Sequence, residues 1–176
     1  ICGTSIGSIV GGLYAAGYSA AELETMFQTQ EWLSLLTDRS SSLANERYKV
    51  DNDVTYIFGF PIIDRKAKGL GVMKGSSIEH MLDSMVCAKG CKDFQSLKIP
   101  FCCVAADIRS GTEVILRDGS LAKAMRASMA IPGVFKPVEI VDRKLVDGGM
   151  LNNLPVDVCR EMGADIIIAV DLQQNA

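Results

Sequence analysis

The sequence predicts a three-layer α/β/α fold, a central, mainly parallel sheet with helices on both faces. Three observations carry this expectation. Residues 101–108 form a continuous apolar run ending near Asp107, the pattern of a strand buried on both faces. Further strand-length apolar runs at 113–116 and 164–172 are separated by segments of helical periodicity. The 16 glycines are spread through apolar surroundings, which indicates many tight turns and not disorder. At 176 residues, 48% hydrophobic and 22% charged, the chain has the material for one domain with a sizeable core.

Each element follows from a local signal. Ile1-Cys2 reads as the end of a buried strand running into a turn. A chain that starts there, without a methionine or a polar leader, is expected to be a fragment whose targeting signals are not readable. Ile9, Val10, Leu13 and Tyr14 fall at helical spacing, with Gly17 where a C-capping glycine belongs. Ser19-Ala20-Ala21-Glu22 is a capping box opening a second helix on Leu23, Met26 and Phe27. Residues 31–36 form a short helical patch around Trp32. Residues 37–75 read as an irregular insertion with one or two strands, either a cap over a site or a plain surface excursion. Ser76-Ser77-Ile78-Glu79 is expected to cap a helix whose inner face is Ile78, Met81, Leu82, Met85 and Val86. A helix at 121–130 is closed by Ile131-Pro132-Gly133. A hairpin is expected from 138–141 and 144–146 about Asp142-Arg143. Pro155 opens a helix through 162, with Gly163 as its stop, and 164–172 is a final apolar strand.

Composition excludes several functions. Eighteen Lys and Arg against twenty-one Asp and Glu give 18 − 21 = −3, without the basic footprint that nucleic-acid binding needs. No apolar run approaches the roughly 18 residues that span a bilayer. Cys2, Cys87, Cys91, Cys102, Cys103 and Cys159 contain no pair of CxxC units. Cys87 and Cys91 with His80 fit no usual structural zinc spacing, so free thiols packed as small hydrophobes are expected, with no metal and no cofactor. Gly71-Val72-Met73-Lys74-Gly75-Ser76 has the glycines of a phosphate loop but not its G-K-[ST] order.

The sharpest motif is Gly3-Thr4-Ser5-Ile6-Gly7, a G-x-S-x-G sequence between a strand end and a helix. Such a serine sits in a strained turn, exposed at the carboxyl end of a strand, and a Cβ at Gly3 or Gly7 is expected to clash there. The helix N-terminus and the Ile6 amide supply positive potential for a developing oxyanion. The serine needs a base. His80 is the only histidine, but it lies in mid-chain on an amphipathic helix, unlike the late loop histidine of a Ser-His-Asp esterase. A carboxylate is the better candidate. Asp147 leaves an apolar strand and precedes Gly148-Gly149, while Asp107 and Asp171 also lie at strand ends. Spacing alone does not choose among the three.

Taken together, Gly3-Thr4-Ser5-Ile6-Gly7-Ser8, then Arg126-Ala127-Ser128-Met129-Ala130-Ile131-Pro132-Gly133-Val134-Phe135, then Asp147-Gly148-Gly149 with Asn153-Leu154-Pro155 resemble the patatin-like phospholipases of bacterial type. The blocks stand in the family's order and cover nearly the whole chain. The resemblance implies Ser5 as nucleophile and Asp147 as proton acceptor, a dyad without histidine. It implies cleavage of fatty-acyl esters through an acyl-enzyme, with a lipid or lysolipid substrate met at a membrane surface. It also implies a glycine-rich oxyanion loop upstream of the nucleophile, which the four residues before Ser5 do not contain. Loss of those donors predicts weak or no hydrolysis by residues 1–176 alone. A conventional Ser-His-Asp esterase and a non-catalytic scaffold of the same fold are the competing readings.

Overall fold

Strand β4 (Cys102–Asp107) organises the molecule, as its sequence requires: all six residues are buried. The structure is a computed structural model that describes residues 1–32, Leu35, 73–172 and, as backbone only, 55–57 and 60–62. Along one edge of β4 runs β5 (Thr112–Leu116), antiparallel, from Cys103↔Leu116 to Asp107↔Thr112. The opposite edge is shared. β1 (Cys2–Thr4) pairs parallel with Cys102, Cys103 and Val104, and β7 (Arg143–Asp147) pairs antiparallel with Ala105, Ala106 and Asp107. β6 (Val138–Ile140) continues the sheet beyond β7. β1 and β7 therefore run toward each other along one edge and meet end to end, Thr4 beside Val104 and Asp147 beside Ala105.

The α/β class is the expected one, realised with a mixed sheet. The β4–β5 link is residues 108–111 and the β6–β7 link residues 141–142. Neither is long enough for the crossover that parallel neighbours need, so both pairs are antiparallel. Helices α1 (Ile6–Ala16), α3 (Ser76–Ala88) and α4 (Leu121–Ser128) pack on one face, where Ile9, Leu13, Ile78, Leu82 and Met125 form one buried cluster with Cys103, Ala105 and Leu145. Leu23 of α2 (Ala20–Thr29) joins that cluster. On the other face α5 (Val156–Glu161) places Val158 against Cys102 and Val104. No helix among the described residues is long and apolar enough to cross a membrane.

Several ends differ from the sequence pattern. Gly17 caps α1 in the left-handed conformation and the Ser19–Glu22 capping box forms, both as expected. The N-cap of α3, however, is Gly75 and not a serine. The Arg126 guanidinium bonds the Gly75 carbonyl, so a tertiary contact sets the entry of this helix. α4 stops at Ser128, two residues early, because the Ala130 carbonyl turns out to accept the Asp147 N–H at 2.9 Å. Pro155 is the N-cap of α5 and not its first helical residue. Residues 164–172 are not a strand. Ile166, Ile168 and Val170 are 86%, 88% and 73% exposed, since no described strand edge takes them as a ladder partner. Of the insertion at 37–75, β2 (Thr55–Ile57) and β3 (Phe60–Ile62) form a separate antiparallel pair and Met73 bridges to Phe135, while most of its remainder lies outside the described residues.

The β6–β7 turn falls at Val141-Asp142, one residue earlier than the pattern suggested, because the register pairs Ile140 with Arg143. Both turn residues have positive φ, 43° and 60°, the geometry of a two-residue hairpin turn that favours Asn-Gly. A β-branched residue pays most there, and Val141 is 87% exposed, so it gains no packing in return. Replacing Val141-Asp142 by Asn-Gly is expected to stabilise the fold by about 1 kcal/mol, a rise in Tm of about 2–4 °C in a calorimetric scan.

Candidate active site

Two strands that collide on one edge must both leave the sheet where they meet, and the candidate site is built from those two departures. After β1 the chain turns at Ser5, whose φ is 55° and ψ −123°, and enters α1. This is a conformation that L-residues adopt only when their surroundings hold them there. The Ser5 N–H donates to Ser128 Oγ at 3.0 Å, and Ser128 Oγ–H donates to the Val104 carbonyl at 2.6 Å. The Ser5 carbonyl accepts from Ser8 Oγ at 2.6 Å and from the Ser8 N–H at 2.9 Å. Thr4 Oγ1, one residue earlier, donates to the Asn152 carbonyl at 2.9 Å. A Cβ at Gly3 would overlap the Gly7 carbonyl, so this turn requires a glycine at 3. At Gly7 the reason expected from the motif does not hold, because nothing among the described residues lies within 4 Å of where its Cβ would stand.

After β7 the chain leaves through the single 3-10 turn Gly148–Met150. Gly148 lies against the Val104 carbonyl, too close for any side chain. The Gly149 N–H donates to Asp147 Oδ1 at 2.7 Å, and a Cβ at 149 would stand 3.0 Å from that oxygen. The second carboxylate oxygen is thereby left for the serine, and Ser5 Oγ–H donates to Asp147 Oδ2 at 2.6 Å across 142 residues of sequence. Asp147 is 6% exposed. Burial pushes its carboxyl above the ordinary carboxylate range, against the opposing pull of the Ser5 and Gly149 hydrogen bonds.

The other sequence candidates sit elsewhere. Asp107 is buried at the far end of β4, where Oδ1 accepts the Arg109 N–H at 3.0 Å and shapes the turn into β5. Asp171 lies in the exposed segment after α5. His80 is exposed on α3, its carbonyl accepting from Ser84 Oγ, whereas Ser5 and Asp147 bond each other without it. The Ile6 amide stands in the first turn of α1, where no intrahelical carbonyl reaches it, whereas the Ser5 amide is committed to Ser128. Ser5 and Ile6 also form part of the wall of an apolar cavity of about 440 Å³, completed by Ile9, Ile78, Met129, Ile131 and Phe135 and by the stacked rings of Phe27 and Trp32.

Sequence reasoning gave Ser128 no role, though a lone hydroxyl at the buried end of the helix, between Ala127 and Met129, was a readable signal. With Ser128→Ala the Ser5 N–H and the Val104 carbonyl both lose their partner. Turnover by the whole protein is expected to fall about 10–100-fold with KM nearly unchanged, because the serine is displaced and not removed. Steady-state kinetics on an activated ester checks the split.

The site is thus a strained strand-to-helix serine bonded to a buried carboxylate, beside an apolar cavity, on an α/β sheet. The family model described as "Patatin-like phospholipase" matches residues 1–160. The chain is 32% identical over 172 residues to an uncharacterized NTE family protein of Mycobacterium tuberculosis, covering 98% of this chain and 40% of that protein. It is likewise 32% identical over 174 residues to patatin-like phospholipase domain-containing protein 6 of Homo sapiens, covering 97% of this chain and 11% of that protein. The chain belongs to the patatin-like phospholipase family and spans well under half the length of these relatives.

Proposed function

We propose that this chain carries the acyl-hydrolase site of a lipid esterase, with Ser5 as nucleophile and Asp147 as its proton acceptor. The observation that carries the proposal is the 2.6 Å hydrogen bond from Ser5 Oγ to Asp147 Oδ2 beside the apolar cavity. As Ser5 Oγ attacks an ester carbonyl, its proton passes to Asp147 Oδ2. Collapse of the tetrahedral adduct returns that proton to the departing alcohol and leaves the acyl group on Ser5. A water then attacks the acyl-enzyme, gives a proton to Asp147, and the serine is re-protonated as the fatty acid leaves. The Ile6 amide and the N-terminal end of α1 would supply positive potential to the oxyanion.

The cavity supports a fatty-acyl substrate, since its volume lies in the range of small-molecule sites and its walls are almost wholly apolar. Ile6, Met150 and Leu151 are 43%, 66% and 52% exposed just downstream of Ser5 and Asp147, which suits a site that meets its substrate at a membrane surface. The test is covalent. A fluorophosphonate is expected to label the whole protein once, on Ser5, and labelling should vanish in Ser5→Ala while His80→Ala labels normally. Release of fatty acid from a lysophospholipid is expected to follow the same pattern. Labelling that persists in Ser5→Ala, or that depends on His80, would sink the dyad.

A further inference from the structure

On the face of the sheet covered by α5, away from the cavity, β1 and β4 bring together two thiols that the hydrolytic reading leaves without a task. Cys2 and Cys102 are register partners in the parallel ladder, and their Sγ atoms are 3.3 Å apart. Neighbouring strands lie about 4.8 Å apart, and a disulfide spans Cα separations of about 4.4–6.8 Å, so the bond needs no large backbone movement. Cys102 is buried, but a crevice of about 40 Å³ opens beside it, lined by Cys102, Ile115, Arg117, Val158, Glu161 and Met162. That is space for a molecule the size of one or two waters. Met162 Sδ stands 3.2 Å from Cys102 Sγ.

We propose that Cys2 and Cys102 are a redox pair, in which Cys102 is oxidised by a small peroxide entering this crevice and Cys2 resolves the product to an intramolecular disulfide. The electrostatics agree with the geometry. The hydrogen bond with Cys2 is the largest influence holding the Cys102 thiol below its ordinary range, and Arg117 adds to it against the opposing effect of burial. The same hydrogen bond, together with burial, pushes Cys2 upward, so Cys102 ionises first and Cys2 keeps its proton.

The chemistry balances with hydrogen peroxide as the oxidant. The Cys102 thiolate attacks one peroxide oxygen, a sulfur–oxygen bond forms and the oxygen–oxygen bond breaks. The departing hydroxide takes up the proton that Cys102 gave to solvent. The Cys2 sulfur then attacks the Cys102 sulfenic sulfur. A sulfur–sulfur bond forms, the sulfur–oxygen bond breaks, and the hydroxyl leaves with the Cys2 proton as water. Two thiols lose two electrons and one peroxide becomes two waters.

The wild-type protein tests this directly. After brief exposure to hydrogen peroxide near neutral pH and blocking of the remaining thiols, non-reducing tryptic mapping is expected to yield the segment containing Cys2 joined to residues 99–109, about 2 Da lighter than the sum of the two thiol peptides and released by dithiothreitol. Fragmentation between Cys102 and Cys103 assigns the bridge. In Cys2→Ala, dimedone is expected to trap a sulfenic acid on Cys102, and in Cys102→Ala none on Cys2. A wild-type map in which exposed Cys87 is oxidised while Cys102 remains a thiol would overturn the proposal. So would a bridge from Cys2 to Cys159.

Discussion

Asp147→Asn is expected to lower ester hydrolysis by the whole protein about 10³–10⁴-fold while leaving it folded. The amide retains an oxygen for the Gly149 N–H but cannot accept the Ser5 proton. Ser5→Ala should cost as much or more. The double variant should be little worse than either single one, because members of one catalytic unit are not additive. Two pH signatures accompany the loss. The Asp147 pKa is raised by burial, so ester hydrolysis should rise with pH through a value above the ordinary carboxylate range, and that limb should shift with Asp147→Glu but not with His80→Gln. Stability moves the opposite way. A carboxyl whose folded pKa exceeds its unfolded one binds more protons in the native state, so its favourable contribution is complete below the unfolded pKa and is lost as pH rises through the folded one. Asp147→Asn should therefore match the wild type in acid and become relatively more stable as pH climbs through that window. Denaturant titrations at several pH values measure this, and a variant that weakens steadily as pH rises would contradict it.

Arg126→Ala is expected to destabilise the protein by about 3–5 kcal/mol, a large share of the 5–15 kcal/mol that holds a typical domain. Arg126 is 1% exposed, and its guanidinium donates to the carbonyls of Gly75 at 3.2 Å, Lys74 at 2.7 Å and Lys136 at 3.4 Å. It also lies over the Phe135 ring, 4.6 Å from the centroid. One side chain on α4 thus fastens both the entry to α3 and the approach to β6. Truncation removes the guanidinium from the Lys74 and Lys136 carbonyls, leaves the Gly75 carbonyl to the Glu79 N–H, and opens a void under the ring. Arg126→Lys should recover little, since a single ammonium cannot address three carbonyls from the direction of a planar fork. Urea melts of the two variants would separate this account from one resting on charge alone, in which lysine would suffice.

Much of the site was legible because it is local. G-x-S-x-G between a strand end and a helix, and Asp-Gly-Gly after an apolar strand, each describe a backbone that must turn sharply. The structure explains two of those glycines by contact with a carbonyl, at Gly3 against Gly7 and at Gly148 against Val104. What sequence could not supply is the relation between the turns. That β1 and β7 share an edge of β4 depends on pairings 100 and 40 residues apart, and no periodicity encodes them. Ser128 and Arg126 were missed for the same reason, as each acts on backbone groups far away in the chain. The final apolar run was misread for the converse reason. The unbroken apolar run Ile166-Ile167-Ile168-Ala169-Val170 describes a competent strand, but strand formation belongs to a pair, and the partner is not a property of the segment.

The head-on meeting of β1 and β7 has a consequence for how preparations of this protein are judged. Thr4 and Asp147 are aligned by consecutive residues of β4, Val104 and Ala105, about 3.3 Å apart along the strand. If either strand slips by a single position, its side chains exchange faces and the serine and carboxylate no longer face each other. A slipped molecule would retain its helices, its compactness and most of its circular dichroism. With Ser5 in its proposed role as nucleophile, its reactivity would act as a gauge of register. In a refolded sample, the fraction of molecules that accept a fluorophosphonate counts those in which two strands from opposite ends of the chain have stopped at the same peptide bond.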